Sequence, residues 1–235
     1  MSVAPPSSRF FQITTTVSAN TTAGFSIVSY TGNGTDGATI GHGLGVAPKM
    51  VIWKNRDDGG ATDNWTIYNE EIGLANNLYL NTTNNITSAS IFWDTAPSST
   101  VFTMKNHNNL NASGDDYIAY FFAEVEGYSK IGTYSASGQT FVYTGFAPAF
   151  VMIKALESAN WVIFDRKRSP YNKADEQLSP NTSGAEVTND GDLDFLSNGF
   201  KLLSGAATTN AYTYVYAAFA ENPFGGSGVS PVTAR

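Results

Sequence analysis

The chain holds two histidines, His42 and His107, and no cysteine. Without Cys there can be no thiolate nucleophile, disulfide, iron–sulfur cluster or zinc finger. Two His residues in unrelated contexts leave little for a histidine metal site. His42 stands in Gly41-His-Gly-Leu-Gly45, a glycine-rich run that invites a phosphate-binding reading. Such a loop needs a strand before it and a helix N-terminus after it, to aim backbone N–H groups at the anion. Here Pro48 and a strand-like run follow, so the segment reads as a turn. Asp190-Gly-Asp192-Leu-Asp194 places carboxylates at alternate positions, as a calcium loop does. The EF-hand pattern also requires Gly at position six and Glu at position twelve, and position six from Asp190 is Phe195. Asp57-Asp58 with Asp63 is a second acidic cluster. Both clusters read as solvated turns. No Ser lies in a Gly-x-Ser-x-Gly setting, and nothing in the sequence sets two acids across a cleft. The residues nominate no catalytic, cofactor-binding or metal-ligating set, and the expectation is a protein that is not an enzyme.

The tryptophans lead from chemistry to architecture, because two of them recur in register. Asn64-Trp65-Thr-Ile67-Tyr68 matches Asn160-Trp161-Val-Ile163-Phe164. Gly45-Val-Ala47-Pro48-Lys-Met-Val51-Ile-Trp53-Lys54 matches Gly145-Phe-Ala147-Pro148-Ala-Phe-Val151-Met-Ile153-Lys154, and Tyr117 to Glu124 matches Tyr214 to Glu221. The order is kept while the offset drifts by a few residues, as loop changes would produce. The chain is therefore a tandem duplication, and Trp65 and Trp161 are expected in equivalent buried positions. Trp53 and Trp93 occur in one copy only; buried packing is the expectation for them too. Asn-x-Ser/Thr triplets such as Asn81-Thr-Thr83 follow from the Asn- and Thr-rich composition.

Each copy reads as short strands separated by turn signals such as Gly32-Asn-Gly34, Ser113-Gly114, Asp58-Gly-Gly60, Asn189-Asp-Gly191 and Asn198-Gly199. Residues 49–54 and 149–154 form strands entered by Pro, and the apolar run 117–125 has strand length. No sustained helical period is present; one short turn of helix is expected near residues 172–177. The fold class is all-β, two tandem copies of a β-sandwich or jelly-roll-like module, closely packed. The boundaries are an extended arm over residues 1–22, one copy over 23–126, a second over 127–223, and a Gly/Ser/Pro-rich tail over 224–235. The arm holds a strand-forming stretch from Phe10 to Val17 and is expected to contact another subunit or to cross onto the other copy.

Charged residues make up 14% of the 235, against roughly 25% in ordinary globular proteins. Thirteen Lys plus Arg against twenty Asp plus Glu give −7. Nucleic acid is excluded as a partner on this reading, since phosphate contacts need clustered Lys and Arg. The N-terminus carries Pro and Ser where a secretion signal needs an apolar run. Membrane insertion is not expected, because no stretch approaches the roughly 20 apolar residues of a span.

The repeated motifs resemble a domain family of tailed bacteriophages, especially marine ones. The resemblance rests on Gly24-Phe-Ser-Ile-Val-Ser-Tyr-Thr-Gly-Asn-Gly34, Gly41-His-Gly-Leu-Gly-Val-Ala-Pro48, the run from Asp116 to Lys130, Asn160-Trp-Val-Ile-Phe-Asp165, Asp194-Phe-Leu-Ser-Asn-Gly-Phe-Lys201 and Phe219-Ala-Glu-Asn-Pro-Phe-Gly-Gly226. In that family the module usually ends larger, often fibre-like virion proteins. The resemblance implies a non-enzymatic structural protein, located in the virion and partnered by other virion proteins and copies of itself. The sequence has neither heptads nor short solenoid repeats to build a shaft. Exterior head decoration that stabilises the capsid is therefore the expectation. The alternative is a tail fibre, appendage or adaptor protein that binds host surface glycans.

Overall fold

The computed structural model describes residues 12–57, 63–188, 193–203 and 207–221. In chain order the first module contains β1 (Thr15–Asn20), β2 (Phe25–Thr31), β3 (Ala38–Gly41), β4 (Met50–Asn55), β5 (Thr66–Asn69), β6 (Asn76–Tyr79), β7 (Thr87–Ser88), β8 (Val101–Met104) and β9 (Asp116–Phe122). The second contains β10 (Ser129–Ser135), β11 (Thr140–Tyr143), β12 (Pro148–Ala155), β13 (Trp161–Asp165), β14 (Leu193–Leu196), β15 (Gly199–Leu202) and β16 (Thr213–Ala220). Apart from two short 3-10 turns, Glu70–Ile72 and Ala207–Thr209, the regular elements are strands. The region around residues 172–177, where a turn of helix is expected, instead makes isolated bridges from Ala174 to Leu193 and from Gln177 to Val187. Its polar residues bond to β14, distant in sequence: Asn172 accepts from Phe195 N–H through its side chain at 3.0 Å.

Each module pairs a main sheet with a small one. The main sheets run β1-β2-β9-β4-β5-β6-β7 and β10-β16-β12-β13; the small ones are β3-β8 and β11-β15-β14. The order β2-β9-β4-β5 recurs as β10-β16-β12-β13, all antiparallel. The correspondence continues past β13. Ile163 bridges Leu178 and Gln177 bridges Val187, where Ile67 pairs with Leu78 and Asn77 with Thr87 in the first module.

Successive side chains on a strand point to opposite faces, and here both faces of the central strands of each main sheet are covered. Val51 and Trp53 on β4, with Ala119 and Phe121 on β9, face Ile40 and Phe102 of the small sheet and form one core. Val151 and Ile153, with Tyr214, Tyr216 and Ala218, face Val142 and Phe200 and form the second. The alternate residues make a third core between the main sheets: Met50, Ile52, Ile67, Ile72 and Leu78 against Ile131, Trp161, Val215 and Ala217. The result is four β layers and three apolar seams. This explains why the central strands read as continuous apolar runs instead of alternating ones.

The two modules are also tied by main-chain bonds. Ile86 N–H donates to Leu156 O and Ala159 N–H to Thr83 O, each at 2.9 Å. Trp161 Nε1 donates to Tyr79 O at 2.8 Å. Trp161 is thus buried between the modules, whereas Trp65 is only half-buried and lies 6.5 Å from the ring of Tyr120. The repeat in sequence does not give equal burial because the two modules present the same position to different neighbours.

The described part of the N-terminal arm stays on the first module. β1 pairs with β2 from Thr15↔Tyr30 to Asn20↔Phe25. Just upstream, Gln12 bridges Thr39 of β3, Ile13 N–H donates to Thr39 O at 2.9 Å, and the Ile13 side chain is buried in the first core. One short segment therefore binds both sheets of the sandwich along its edge. Residues 1–11 and 222–235, which hold Phe10-Phe11 and the tail, lie outside the described residues.

Candidate functional site

The side chains singled out by type take structural positions. His42 is fully buried: its Nδ1 accepts from Leu44 N–H at 3.3 Å, its Nε2 lies 3.2 Å from Ser98 O, and its ring stacks on Phe121. Burial lowers its pKa, so the imidazole is neutral, with the Nε2 proton directed at Ser98 O. The glycine-rich run is a turn closed by this ring. His107 likewise accepts from Asn109 N–H at 3.1 Å through Nδ1 and sets its ring edge-on to Phe92.

Asp57 and Asp63 do come together, around the buried side chain of Asn55. Asn55 Nδ2 lies 2.9 Å from both Asp63 Oδ2 and Asp115 Oδ2, while Asn55 Oδ1 accepts from Asp57 N–H. Asp57 accepts from Asp116 N–H at 2.6 Å. These carboxylates bind amide donors and close a loop junction. Among the described residues no group of three or more His, Asp or Glu is placed to hold a metal ion. Asp194 pairs with Lys201 across β14 and β15; Asp58, Asp190 and Asp192 lie outside the described residues. Trp53 is fully buried against Trp93, Phe102 and Phe121, and Trp93 donates to Leu74 O at 3.0 Å.

Sequence reasoning passed over one repeated device. Asn81 Oδ1 accepts from Trp65 N–H at 3.0 Å, and Asn81 Nδ2 donates to Asn64. Asn181 does the same for Trp161 N–H at 2.9 Å and for Asn160. The signal was available as Asn81-Thr and Asn181-Thr at an offset of one hundred residues, hidden by the abundance of both residue types.

The surface feature that distinguishes the modules is an edge. In the first module β1 covers the outer edge of β2. In the second, β10 ends its sheet, with no strand beside its outer edge among the described residues. A cleft of 500 Å³ lies there, lined by Glu124, Glu126, Gly127, Ser129, Lys130, Tyr143, Thr144 and Gly145. Glu124 accepts from Ile131 N–H at 2.8 Å and pairs with Lys130 at 3.3 Å, capping the first half of the β10 edge. Val125 caps Ser129 in the same way, taking its N–H at 2.9 Å. Because alternate residues of a strand turn their main-chain groups to the same side, Thr133 and Ser135 also present theirs away from β16; both residues are exposed. On β11, Thr144 N–H turns inward to Asn198 O at 3.0 Å, so Phe141 and Tyr143 turn their main chain outward. Their side chains are 48% and 61% exposed, the neighbouring aromatics of an uncovered strand. The arrangement offers hydrogen-bonding backbone, two rings and a few charges, a binding surface by its chemistry.

No curated protein and no solved structure matches the chain. Residues 4–223 match a family described as a domain of unknown function, DUF7483. Since the match takes in both modules and runs nearly end to end, the chain belongs to the DUF7483 family.

Proposed function

We propose that the protein is a structural component of a tailed-phage virion, exposed on the particle and set on the head, where it contacts capsid subunits and stabilises the shell. The observation that carries this reading is the four-layer body with its shared third core. Two sandwiches fused through Ile52, Trp161 and their neighbours make a stiff block that spans adjacent subunits without a hinge, as a cement protein must. The resemblance of the repeated motifs to virion modules supports the same reading.

A second reading is favoured by one feature. The cleft beside Tyr143, with Glu124, Glu126 and Lys130, combines an aromatic face with hydrogen-bonding groups, the combination that grips a sugar ring. That would suit a tail appendage binding host surface glycans. Disrupting the gene separates the two. Heads that lose resistance to heat and osmotic shock support the head assignment. Heads as resistant as wild type that no longer adsorb to cells overturn it in favour of the tail. Purified particles that lack the protein in the wild type overturn both.

A further inference from the structure

We propose that the outer edge of β10, together with that of β11, accepts an extended strand donated by another protein chain, in the place that the arm takes on the first module. The inference does not depend on where in a particle the protein sits; it rests on comparing the two modules.

In the first module the arm follows a defined path. Ile13 N–H bonds Thr39 O on β3, and from Thr15 onward the chain pairs with β2. The register of the small sheets places Phe141 where Thr39 stands and Tyr143 where Gly41 stands, because Ile40 faces Phe102 as Val142 faces Phe200. Thr39 is 5% exposed beneath the arm; Phe141, its counterpart, is 48% exposed. The same difference holds on the main sheet, where among the described residues β2 is paired with a strand on both sides and β10 on one.

Among the described residues the second module has no arm of its own. The stretch ahead of β10, where such a strand would stand, is β9, and β9 is held between β2 and β4 inside the first sheet. Duplication thus produced two acceptor edges and one internal strand. Glu124 and Val125 cap the β10 edge at Ile131 and Ser129, which among the described residues leaves Thr133, Ser135, Phe141 and Tyr143 as the open stretch. That stretch corresponds to the first half of the arm's path, residues 12–17. Its occupant is a short, uncharged, extended segment with an apolar residue ahead of Thr, Ser or Val, the pattern of Gln-Ile-Thr-Thr-Thr-Val in the arm itself. The internal arm remains on β2, so the donor is a different chain.

The test uses the full-length protein and a labelled synthetic peptide, acetyl-Gln-Ile-Thr-Thr-Thr-Val-Ser-Ala-Asn-amide, followed by fluorescence anisotropy and amide hydrogen exchange. The expected result is saturable binding that slows exchange at Thr133, Ser135, Phe141 and Tyr143. Thr133→Pro removes an outward N–H at a position where an edge strand tolerates Pro, and should weaken binding by about tenfold. Should that variant misfold, the exchange pattern in the wild type still decides. No binding, or protection confined to β2 through displacement of the internal arm, overturns the proposal. So does self-association of the peptide-free protein that protects the same four amides, since the occupant would then be a second copy.

Discussion

Lys154 has no accessible surface, so its ammonium must be compensated inside the protein. It donates to Ala155 O at 2.7 Å and to Glu157 O at 2.9 Å, closing the β12–β13 hairpin as Lys54 does in the first module by donating to Asp63 O. Burial pulls its pKa down to about 8, against the opposing charge of Glu157. In the unfolded chain a lysine titrates near 10.4. Between those values the unfolded state binds more protons than the folded one, so stability rises with pH through that window, and on acidification the loss is complete by about pH 8. From about pH 7.5 to about pH 9.5 this single group should add about 2 kcal/mol. Urea unfolding at the two pH values should show that gain in the wild type and its absence in Lys154→Met. Equal pH dependence in the two proteins would mean that the ammonium reaches water. Nothing in the sequence marks Lys154 as buried, because the Lys that ends a strand is ordinarily solvated; its burial is decided by the loop that folds over it.

At the scale of strands, the modules share an order but not a packing solution. Val28 faces Ala119 across β2 and β9; the corresponding pair across β10 and β16 is Gly132 and Tyr216. A side-chain carbon on Gly132 would lie 2.7 Å from the Tyr216 hydroxyl and 2.9 Å from its ring, so this glycine is required for space and not for its backbone. Gly132→Val should cost about 2 kcal/mol by overpacking. In a Tyr216→Ala background the same change should cost little, since it recreates the first module's pair; a double-mutant cycle by chemical denaturation measures the coupling. Additive effects would show that the two residues do not share the space. Much at this scale was legible. β9 and β16 were visible as apolar runs of matching sequence, and β12 as a strand entered at Pro148. Residues 172–177 form bridges where the sequence suggests at most a short turn of helix, because short polar segments carry no period and their bridges depend on Leu193 and Val187, distant in sequence. The open edge of β10 was equally hidden: whether a strand is covered is a fact about its neighbours in the sheet.

For the molecule as a whole, the third core decides cooperativity. Trp161 is 2% exposed, contributes to that core and donates to Tyr79 O of the other module. Trp161→Ala should cost about 3–5 kcal/mol from the cavity and the lost transfer energy. It should also split one calorimetric unfolding transition into two, because the modules would keep their own cores while losing their common one. A single transition of lower midpoint would mean that the remaining apolar contacts and the bonds at Ile86 and Ala159 suffice to couple them. The duplicated tryptophan predicted burial from its recurrence; both copies pack on the third core, but only Trp161 is fully covered there. The sequence says that a residue is repeated, while the asymmetry of two unlike neighbours says how deeply each copy is covered.

In both main sheets an inner strand is the one made last: β9 slots between β2 and β4, and β16 between β10 and β12. On the ribosome, then, neither module can close as it emerges. The first waits with a split sheet until residue 122 clears the exit tunnel, and the second until residue 220. A nascent chain halted short of either point displays two bare strand edges facing one gap, the state most exposed to misassembly with a neighbouring copy. Sealing each sheet with an inner strand made last also makes the native contacts long in sequence, which sets a slow folding clock for a chain of this size. Premature stop codons within the segment that encodes β16 should therefore be as damaging to the second sheet as those far upstream of it.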